Sequence, residues 1–219
     1  MKVKVCGLRE PDNILALSKL PIDMMGFIFY KDSPRFVGDS GLSKWLEANL
    51  EALGSISRVG VFVNAAIEDV LNNVHDYQLD FVQLHGDESA EYCQEIQSYW
   101  DISSMRRARL IKAFPIDEDF DFTKEALPYA SSCSLYLFDT KSANYGGSGK
   151  RFDWNLLQKY EGHIPFLLSG GIDENAVEEI RALSLNQLYG VDINSKFETS
   201  PGVKDVAKVE QFVKQLKAV

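Results

Sequence analysis

The chain contains few cysteines: only three occur among 219 residues, widely separated at Cys6, Cys93 and Cys133. No Cys-x-x-Cys pair is present, which argues against a zinc site and against a disulfide framework. No leader-like segment precedes the first strand-like run, and no apolar stretch approaches the roughly 18 residues that span a bilayer. These absences predict a cytoplasmic protein.

Basic residues are also in deficit, because 23 Lys and Arg stand against 32 Asp and Glu, giving a net charge of −9. Such a chain lacks the broad positive surface that binds nucleic acid, and anionic lipid would repel it. We therefore expect neither a nucleic-acid nor a membrane partner. A small anionic ligand is still compatible with this charge, because one pocket can be positive within an acidic protein.

A unit of apolar run, polar loop and amphipathic stretch recurs along the chain, with no linker dividing it. Short runs rich in Val, Ile, Leu and Phe are typical of buried parallel strands. They lie at Val3–Gly7, Met24–Phe29, Arg58–Val63, Phe81–Leu84, Arg109–Phe114, Ser134–Asp139, Pro165–Ser169 and Leu188–Asn194. Helices are predicted over Asp12–Leu20, Gly41–Leu53, Ile67–His75, Glu88–Tyr99, Phe122–Tyr129, Asp153–Tyr160, Glu174–Leu183 and Asp205–Val219.

Eight strands alternating with eight helices fit either an open doubly wound sheet or a closed barrel. The count of eight, and the absence of an opening Gly-x-Gly-x-x-Gly, favour the barrel. We therefore predict an α/β protein, a single-domain (β/α)8 TIM barrel over residues 1–219. The chemistry of such a barrel lies in the loops after the C-terminal ends of the strands.

Three titratable side chains stand at predicted strand ends. Cys6 is either a small buried filler or a thiolate whose pKa a nearby cation lowers, able to act as base or nucleophile. Asp139 is either a helix-capping or salt-bridged residue or, through partial burial, a carrier of a proton. His85 is a proton shuttle, a ligand, a cap of the following helix or a packing residue under the loop. No second histidine lies at ligand spacing, so we expect no metal.

Glycine-rich loops follow the later strands. Ser169-Gly170-Gly171 and Asn194-Ser195 follow the seventh and eighth strands, where barrels commonly bind phosphate through backbone N–H groups. Residues 141–151 are also glycine-rich but not a P-loop, because Arg151 follows Lys150; a lid over the substrate is the better interpretation. The fork of Arg35 suits a carboxylate or phosphate, or else is simply solvated. The pattern favours a cofactor-free isomerase or lyase acting on a small phosphorylated metabolite.

The sequence also resembles one known family from end to end. The matching segments are Lys4–Leu8, Gly26–Phe29, Ser33–Arg35, Val59–Asn64, Val82–Gly86, Phe138–Thr140, Gly146–Trp154, Leu168–Gly171, Gly190–Asp192 and Pro201–Asp205. In this order they resemble phosphoribosylanthranilate isomerase of tryptophan biosynthesis. The resemblance implies a (β/α)8 barrel that carries out the Amadori rearrangement of N-(5-phosphoribosyl)anthranilate, a small phosphorylated anthranilate–sugar, without a cofactor.

The resemblance further implies a role for each matching site residue. Cys6 corresponds to the general base and Asp139 to the general acid, the usual pair for a rearrangement that moves protons. The substrate-binding residues would be Arg35 at the anthranilate carboxylate, Asp192 near the anthranilate ring, and His85, whose role is open. The phosphate-binding residues would be Ser169, Gly170, Gly171, Asn194 and Ser195. Arg9 and Lys196 depart from the family pattern, and a lysine is disfavoured if the glycine it replaces has a positive φ.

Two other functions fit part of the pattern. The related isomerase of histidine biosynthesis acts on a substrate with two phosphoribosyl ends, but the Leu84-His85-Gly86 loop lacks the Ser-Gly-Gly that a second phosphate loop would show. A non-catalytic barrel that binds a phosphorylated ligand would have no need of both Cys6 and Asp139.

The chain is expected to be a monomer or a homodimer.

Overall fold

Eight parallel strands form a closed barrel in the order β1 to β8. In this computed structural model, which describes residues 1–38, 41–102, 106–140 and 152–218, every strand overlaps its predicted run. The strands are β1 Lys2–Val5, β2 Met24–Ile28, β3 Ser57–Phe62, β4 Phe81–Leu84, β5 Arg109–Ile116, β6 Leu135–Thr140, β7 Phe166–Leu168 and β8 Leu188–Ile193. The predicted α/β class and (β/α)8 architecture are confirmed.

Helices follow the strands on the outside of the barrel, most of them shorter than predicted. They are α1 Pro11–Leu17, α2 Leu42–Ala48, α3 Leu50–Leu53, α4 Ile67–Asp76, α5 Ala90–Ile102, α6 Phe122–Glu125, α7 Val177–Ala182 and α8 Val206–Lys217. Helix α6 ends early because Pro128 has no N–H to donate to the carbonyl of Lys124, and a 3-10 turn follows over Leu127–Tyr129. No helix of the described ranges is long and apolar enough to cross a membrane.

One local prediction is wrong. The helix predicted over Asp153–Tyr160 is a 3-10 helix over Trp154–Lys159, whose three-residue period places the buried Trp154 and Leu157 on one face. After β8, the sequence did not indicate two further short strands, β9 Glu198–Ser200 and β10 Val203–Lys204, which form a two-stranded antiparallel sheet. This hairpin contributes directly to the mouth of the barrel.

The strands bury both of their faces, as parallel strands in a barrel do. On β1, Val3 and Val5 pack into the outer core under the helices, whereas Lys4 belongs to the opposite, interior face. Most of the interior is filled by apolar side chains: Met24, Val59, Phe81, Ile111, Ala113, Leu135, Leu137 and Leu167. At the junction of β8 and β1 the interior is polar instead, because Lys4 pairs in register with Asp192.

Candidate active site

Cys6 directly follows β1 and is 4% exposed. Its N–H donates to the carbonyl of Ile193 at 2.9 Å, which ties it to the end of β8. On the other side, a methyl group at Gly26 would lie 2.8 Å from Cys6 Sγ, closer than two such atoms can approach. The absence of a side chain on Gly26 therefore creates the space that the thiol occupies.

Two fully buried ammonium groups act on Cys6, those of Lys4 and Lys204. The sequence predicts that such a cation lowers the thiol pKa. In the structure burial outweighs both cations and raises the pKa of Cys6 above its ordinary value. The expected decrease in the pKa of the Cys6 thiol was therefore wrong for the unliganded site. The thiol lies near positive charge, but it is also removed from water, and the second effect is larger.

Asp139 lies near the end of β6, with a side chain 20% exposed. The N–H of Thr140 donates to its Oδ1 at 2.7 Å. His85 Nε2 lies 3.5 Å from Asp139 Oδ2, so the histidine adjoins the candidate acid. The Gln83 amide Nε2 lies 2.8 Å from His85 Nδ1; when it donates there, the proton of the imidazole is on Nε2, facing Asp139.

The loop that carries His85 is held by a buried ion pair that sequence reasoning missed. Lys112 Nζ donates to the carbonyl of Gly86 at 2.7 Å and lies 3.3 Å from Glu88 Oε2. Glu88 also accepts from the backbone N–H of Asn64 at 2.8 Å and of Gly86 at 2.9 Å. A lysine inside the apolar run of the fifth strand was the available signal, because a buried lysine needs a partner.

Arg35 makes a bidentate ion pair with Glu198 of β9, with Nε and Nη2 at 2.9 Å and 2.6 Å from the two carboxylate oxygens. Lys204 of β10 approaches the same carboxylate at 2.6 Å. Burial acts to raise the pKa of Glu198, but the hydrogen bond from Arg35 and the charge of Lys204 lower it on balance. Arg35 is thus a fixed group rather than a solvated surface arginine, and neither Glu198 nor Lys204 was among the predicted site residues.

Asn194 belongs to the same cluster, since its Oδ1 accepts a hydrogen bond from Lys204 Nζ at 2.7 Å. Its side-chain oxygen is therefore engaged, and any contact with a phosphate would come from its N–H groups. Asp192 is also buried; its Oδ2 lies 2.9 Å from Lys4 Nζ, and its Oδ1 has no hydrogen-bond partner among the described residues. Burial raises the pKa of Asp192, with Lys4 opposing that effect.

The predicted phosphate loops lie side by side after β7 and β8. Gly170 and Gly171 have φ of 88° and 67°, conformations that other residues adopt poorly. A methyl group on Gly170 would lie 2.7 Å from Thr140 N and 2.8 Å from Asp139 Oδ1, so this loop packs directly against the candidate acid. After β8, Ser195 begins a 3-10 turn over Ser195–Phe197, the short extra helix that often completes a phosphate site in such barrels.

The two departures from the family pattern cause no backbone strain. Positive φ in described residues other than glycine is confined to Asn64, Gln78 and Ser184, so Lys196 does not have it. Arg9 extends to the neighbouring loop, where its Nη1 lies 3.4 Å from the carbonyl of Pro34. The lid predicted over 141–151 lies outside the described residues. No group of His, Cys, Asp and Glu suited to a metal ion is found in the described part of the chain.

Comparison with known proteins decides the family. The sequence profile of N-(5'-phosphoribosyl)anthranilate isomerase matches residues 3–215. The chain belongs to this family. An isomerase of that name from Parabacteroides distasonis is 46% identical over 218 residues, which cover 99% of this chain and 93% of the relative.

Solved structures agree with this assignment to the phosphoribosylanthranilate isomerase family. The crystal structure of the Thermotoga maritima enzyme superposes with a TM-score of 0.83 at 33% identity, and all of both chains is covered. A crystal structure of phosphoribosylanthranilate isomerase in complex with reduced 1-(o-carboxyphenylamino)-1-deoxyribulose 5-phosphate gives a TM-score of 0.81 at 30% identity, again with full coverage of both chains. The predicted family and its activity, isomerisation of phosphoribosylanthranilate in tryptophan biosynthesis, are confirmed.

Proposed function

We propose that this isomerase works by general acid–base catalysis, with Cys6 as the base and Asp139 as the acid. The observation that carries the proposal is their placement: Cys6 follows β1 and Asp139 lies near the end of β6, separated around the barrel by β7 and β8. Both therefore border the same mouth from different sides. The loops of β7 and β8, which supply the phosphate-binding residues of the proposal, lie between them.

The chemistry asks for one proton donor and one acceptor. Asp139 protonates the furanose ring oxygen of the substrate, and the C1–O bond breaks to give a protonated Schiff base. The Cys6 thiolate then removes the proton from C2, and the electron pair of that C–H bond forms the C1–C2 double bond of an enolamine as the iminium nitrogen becomes neutral. Tautomerisation of the enolamine gives the aminoketose, and no cofactor takes part.

The substrate would be anchored at its two charged ends. Ser169, Gly170, Gly171, Asn194 and Ser195 would hold the phosphate through backbone N–H groups and short side chains. Arg35, already oriented by Glu198, would meet the anthranilate carboxylate, and the buried Asp192 would lie near the ring. The related enzyme solved with a phosphorylated carboxyphenylamino compound supports a ligand of this shape. His85 would contact the substrate beside Asp139.

The proposal is tested by Cys6→Ser and Asp139→Asn, assayed by the loss of phosphoribosylanthranilate fluorescence. Each change should lower kcat by about 10²–10⁴-fold, the usual contribution of one general acid or base. Binding of the reduced product analogue should persist in both variants, because neither group anchors the phosphate. Cys93→Ser, a change to a buried cysteine on α5, is the matched control and should keep normal turnover. Near-normal turnover in either active-site variant would remove that residue from the mechanism.

We also propose an assembly state and a cellular location. An acidic enzyme of amino-acid biosynthesis is expected in the cytoplasm, without nucleic-acid or membrane partners. Sedimentation of the purified chain would separate monomer from homodimer, the two states that we expect. Separately expressed fragments would test whether residues 1–219 fold as one domain, since a closed barrel divided between strands would leave open edges.

A further inference from the structure

Lys4 is a buried cation to which the proposed mechanism gives no role. Its side chain is 0% exposed and lies on the interior face of β1, whereas its neighbours Val3 and Val5 face the outer core. Because side chains alternate along a strand, Cys6 lies two residues further on the same face. The positive charge of this ammonium favours ionisation of the Cys6 thiol, against the effect of burial. Lys4 therefore lies directly beneath the candidate base.

Three buried charged groups act on Cys6: the cations Lys4 and Lys204 and the anion Asp192. Glu198 is shared by Arg35 and Lys204, which leaves Lys4 with one oxygen of Asp192. A negative charge on Cys6, which lies on the same strand face as Lys4, would give this ammonium a second anion to stabilise.

We propose that Lys4 is a positioning residue for catalysis: held by Asp192 beneath Cys6, its buried ammonium stabilises the thiolate that removes the C2 proton. The inference rests on the proposed role of Cys6 as the base. During proton transfer the Cys6 thiolate becomes a neutral thiol and the iminium nitrogen of the substrate becomes neutral, while Lys4 keeps its own proton throughout. Lys4 thus acts through Cys6 and does not itself exchange a proton with the sugar.

The other charged groups near Cys6 cannot replace Lys4. Lys204, from β10, also favours the thiolate, but its ammonium is bonded to Glu198 and to Asn194 Oδ1. Arg35 is directed at Glu198, and Asp192 from β8 disfavours the thiolate. Asp139 and His85, from the β6 and β4 sides, act on Asp192. Removing Lys4 should therefore disfavour the thiolate, whereas removing the charge of Asp192 should favour it.

The test is a titration of the Cys6 thiol in the unliganded enzyme, followed by thiolate absorbance in a Cys93→Ala, Cys133→Ala background in which Cys6 is the only cysteine. Lys4→Met should raise the titration midpoint by about 1–3 pH units, the usual influence of a nearby opposite charge. Asp192→Asn should lower it. Lys112→Met, which removes another buried lysine but one bonded to the loop after β4, should leave the midpoint unchanged.

Opposite shifts in the two variants would support the proposal, because a loosened fold would move both in the same direction. Lys4→Met leaves Asp192 buried and unpaired and could fail to fold. The double variant Lys4→Met, Asp192→Asn removes both charges and should still titrate above the parent, because Lys4 acts on Cys6 more strongly than Asp192 does. A midpoint equal to or below the parent value in a folded protein lacking Lys4 would overturn the proposal.

Activity provides a separate readout. If Cys6 is the base, the acidic limb of the kcat/KM profile should move with the thiol midpoint in Lys4→Met. If the midpoint of the thiol titration moves and the acidic limb of the kcat/KM profile does not, Cys6 is not the base. Only the coupling of Lys4 to the thiol would then be confirmed. Normal turnover of Cys6→Ser would exclude the proposed base, while the titration would still decide whether Lys4 stabilises the thiolate.

Discussion

Replacing Gly26 by alanine tests whether the neighbouring strand sets the position of the Cys6 thiol. The added methyl group would lie 2.8 Å from Cys6 Sγ and 3.0 Å from Cys6 Cα. Ordinary separations between nonbonded atoms are about 3.5–4.0 Å, so Cys6 must move by roughly 0.5–1 Å. Rotation of the thiol alone cannot relieve the contact with Cα, and the chain at the end of β1 must therefore shift.

The size of the effect follows from this displacement. A misplacement of about 1 Å at a catalytic group can lower the rate about 10²-fold. We expect kcat/KM to fall by about 10- to 100-fold, equivalent to about 1.4–2.7 kcal/mol of transition-state stabilisation. Overpacking should also lower the free energy of unfolding by about 1–3 kcal/mol. Most of the kinetic loss should appear in kcat, because the base acts in the proton-transfer step.

Gly60→Ala is the matched control for the Gly26 change. A methyl group there, on β3, would lie 2.7 Å from Phe62 Cε2 and 3.2 Å from Phe29 Cε2, so it crowds the outer core and not Cys6. Both variants would be assayed for substrate fluorescence and for thermal unfolding. A Gly26→Ala enzyme as active as Gly60→Ala at matched stability would refute the idea that Gly26 positions the thiol.

Three further predictions follow from other contacts. Glu198→Gln should raise KM and lower the free energy of unfolding by about 3 kcal/mol at neutral pH, because it breaks a buried ion pair. Since the pKa of Glu198 is lowered in the folded state, denaturant titrations should show the stability difference between parent and variant vanish as pH falls through that pKa. Asp23→Asn removes the ion pairs of Asp23 with Lys2 and Lys217 near the start of β2, and should lower the free energy of unfolding by about 1–2 kcal/mol at neutral pH. This difference should shrink in acid because the pKa of Asp23 is also lowered in the folded state, and unchanged kcat/KM would confirm that these ion pairs lie away from the active site. Gln83→Leu removes the hydrogen bond between Gln83 and His85 and should lower kcat/KM by up to about tenfold, which corresponds to the free energy of one hydrogen bond. A change in inhibitor affinity without a change in kcat would instead assign Gln83 to substrate binding.

The strands and their ends were predictable because each strand is a short apolar run, and a closed barrel requires its loops to meet at one mouth. Cys6, His85 and Asp139 were found in this way. Lys4, Lys112 and Lys204 were not treated as site residues, because a lysine in a sequence is normally solvated, although the apolar run around Lys112 was a local signal of its burial. Glu198 was missed for a related reason: the turn at Gly202 reads as a loop, and only the folded hairpin turns this carboxylate toward Arg35.

Each catalytic candidate is shaped by a strand other than its own. Gly26 of β2 makes room for the thiol after β1, and Gly170 after β7 packs against the carboxylate of Asp139 on β6. These contacts depend on which residues lie opposite one another, and parallel register is set by the whole closed sheet rather than by any local motif. A sequence motif can therefore name the acid and the base, but their relative positions depend on glycines and buried charges from neighbouring strands. It follows that substitutions at Gly26 or Gly170 should impair the chemistry as directly as substitutions of the reacting groups themselves.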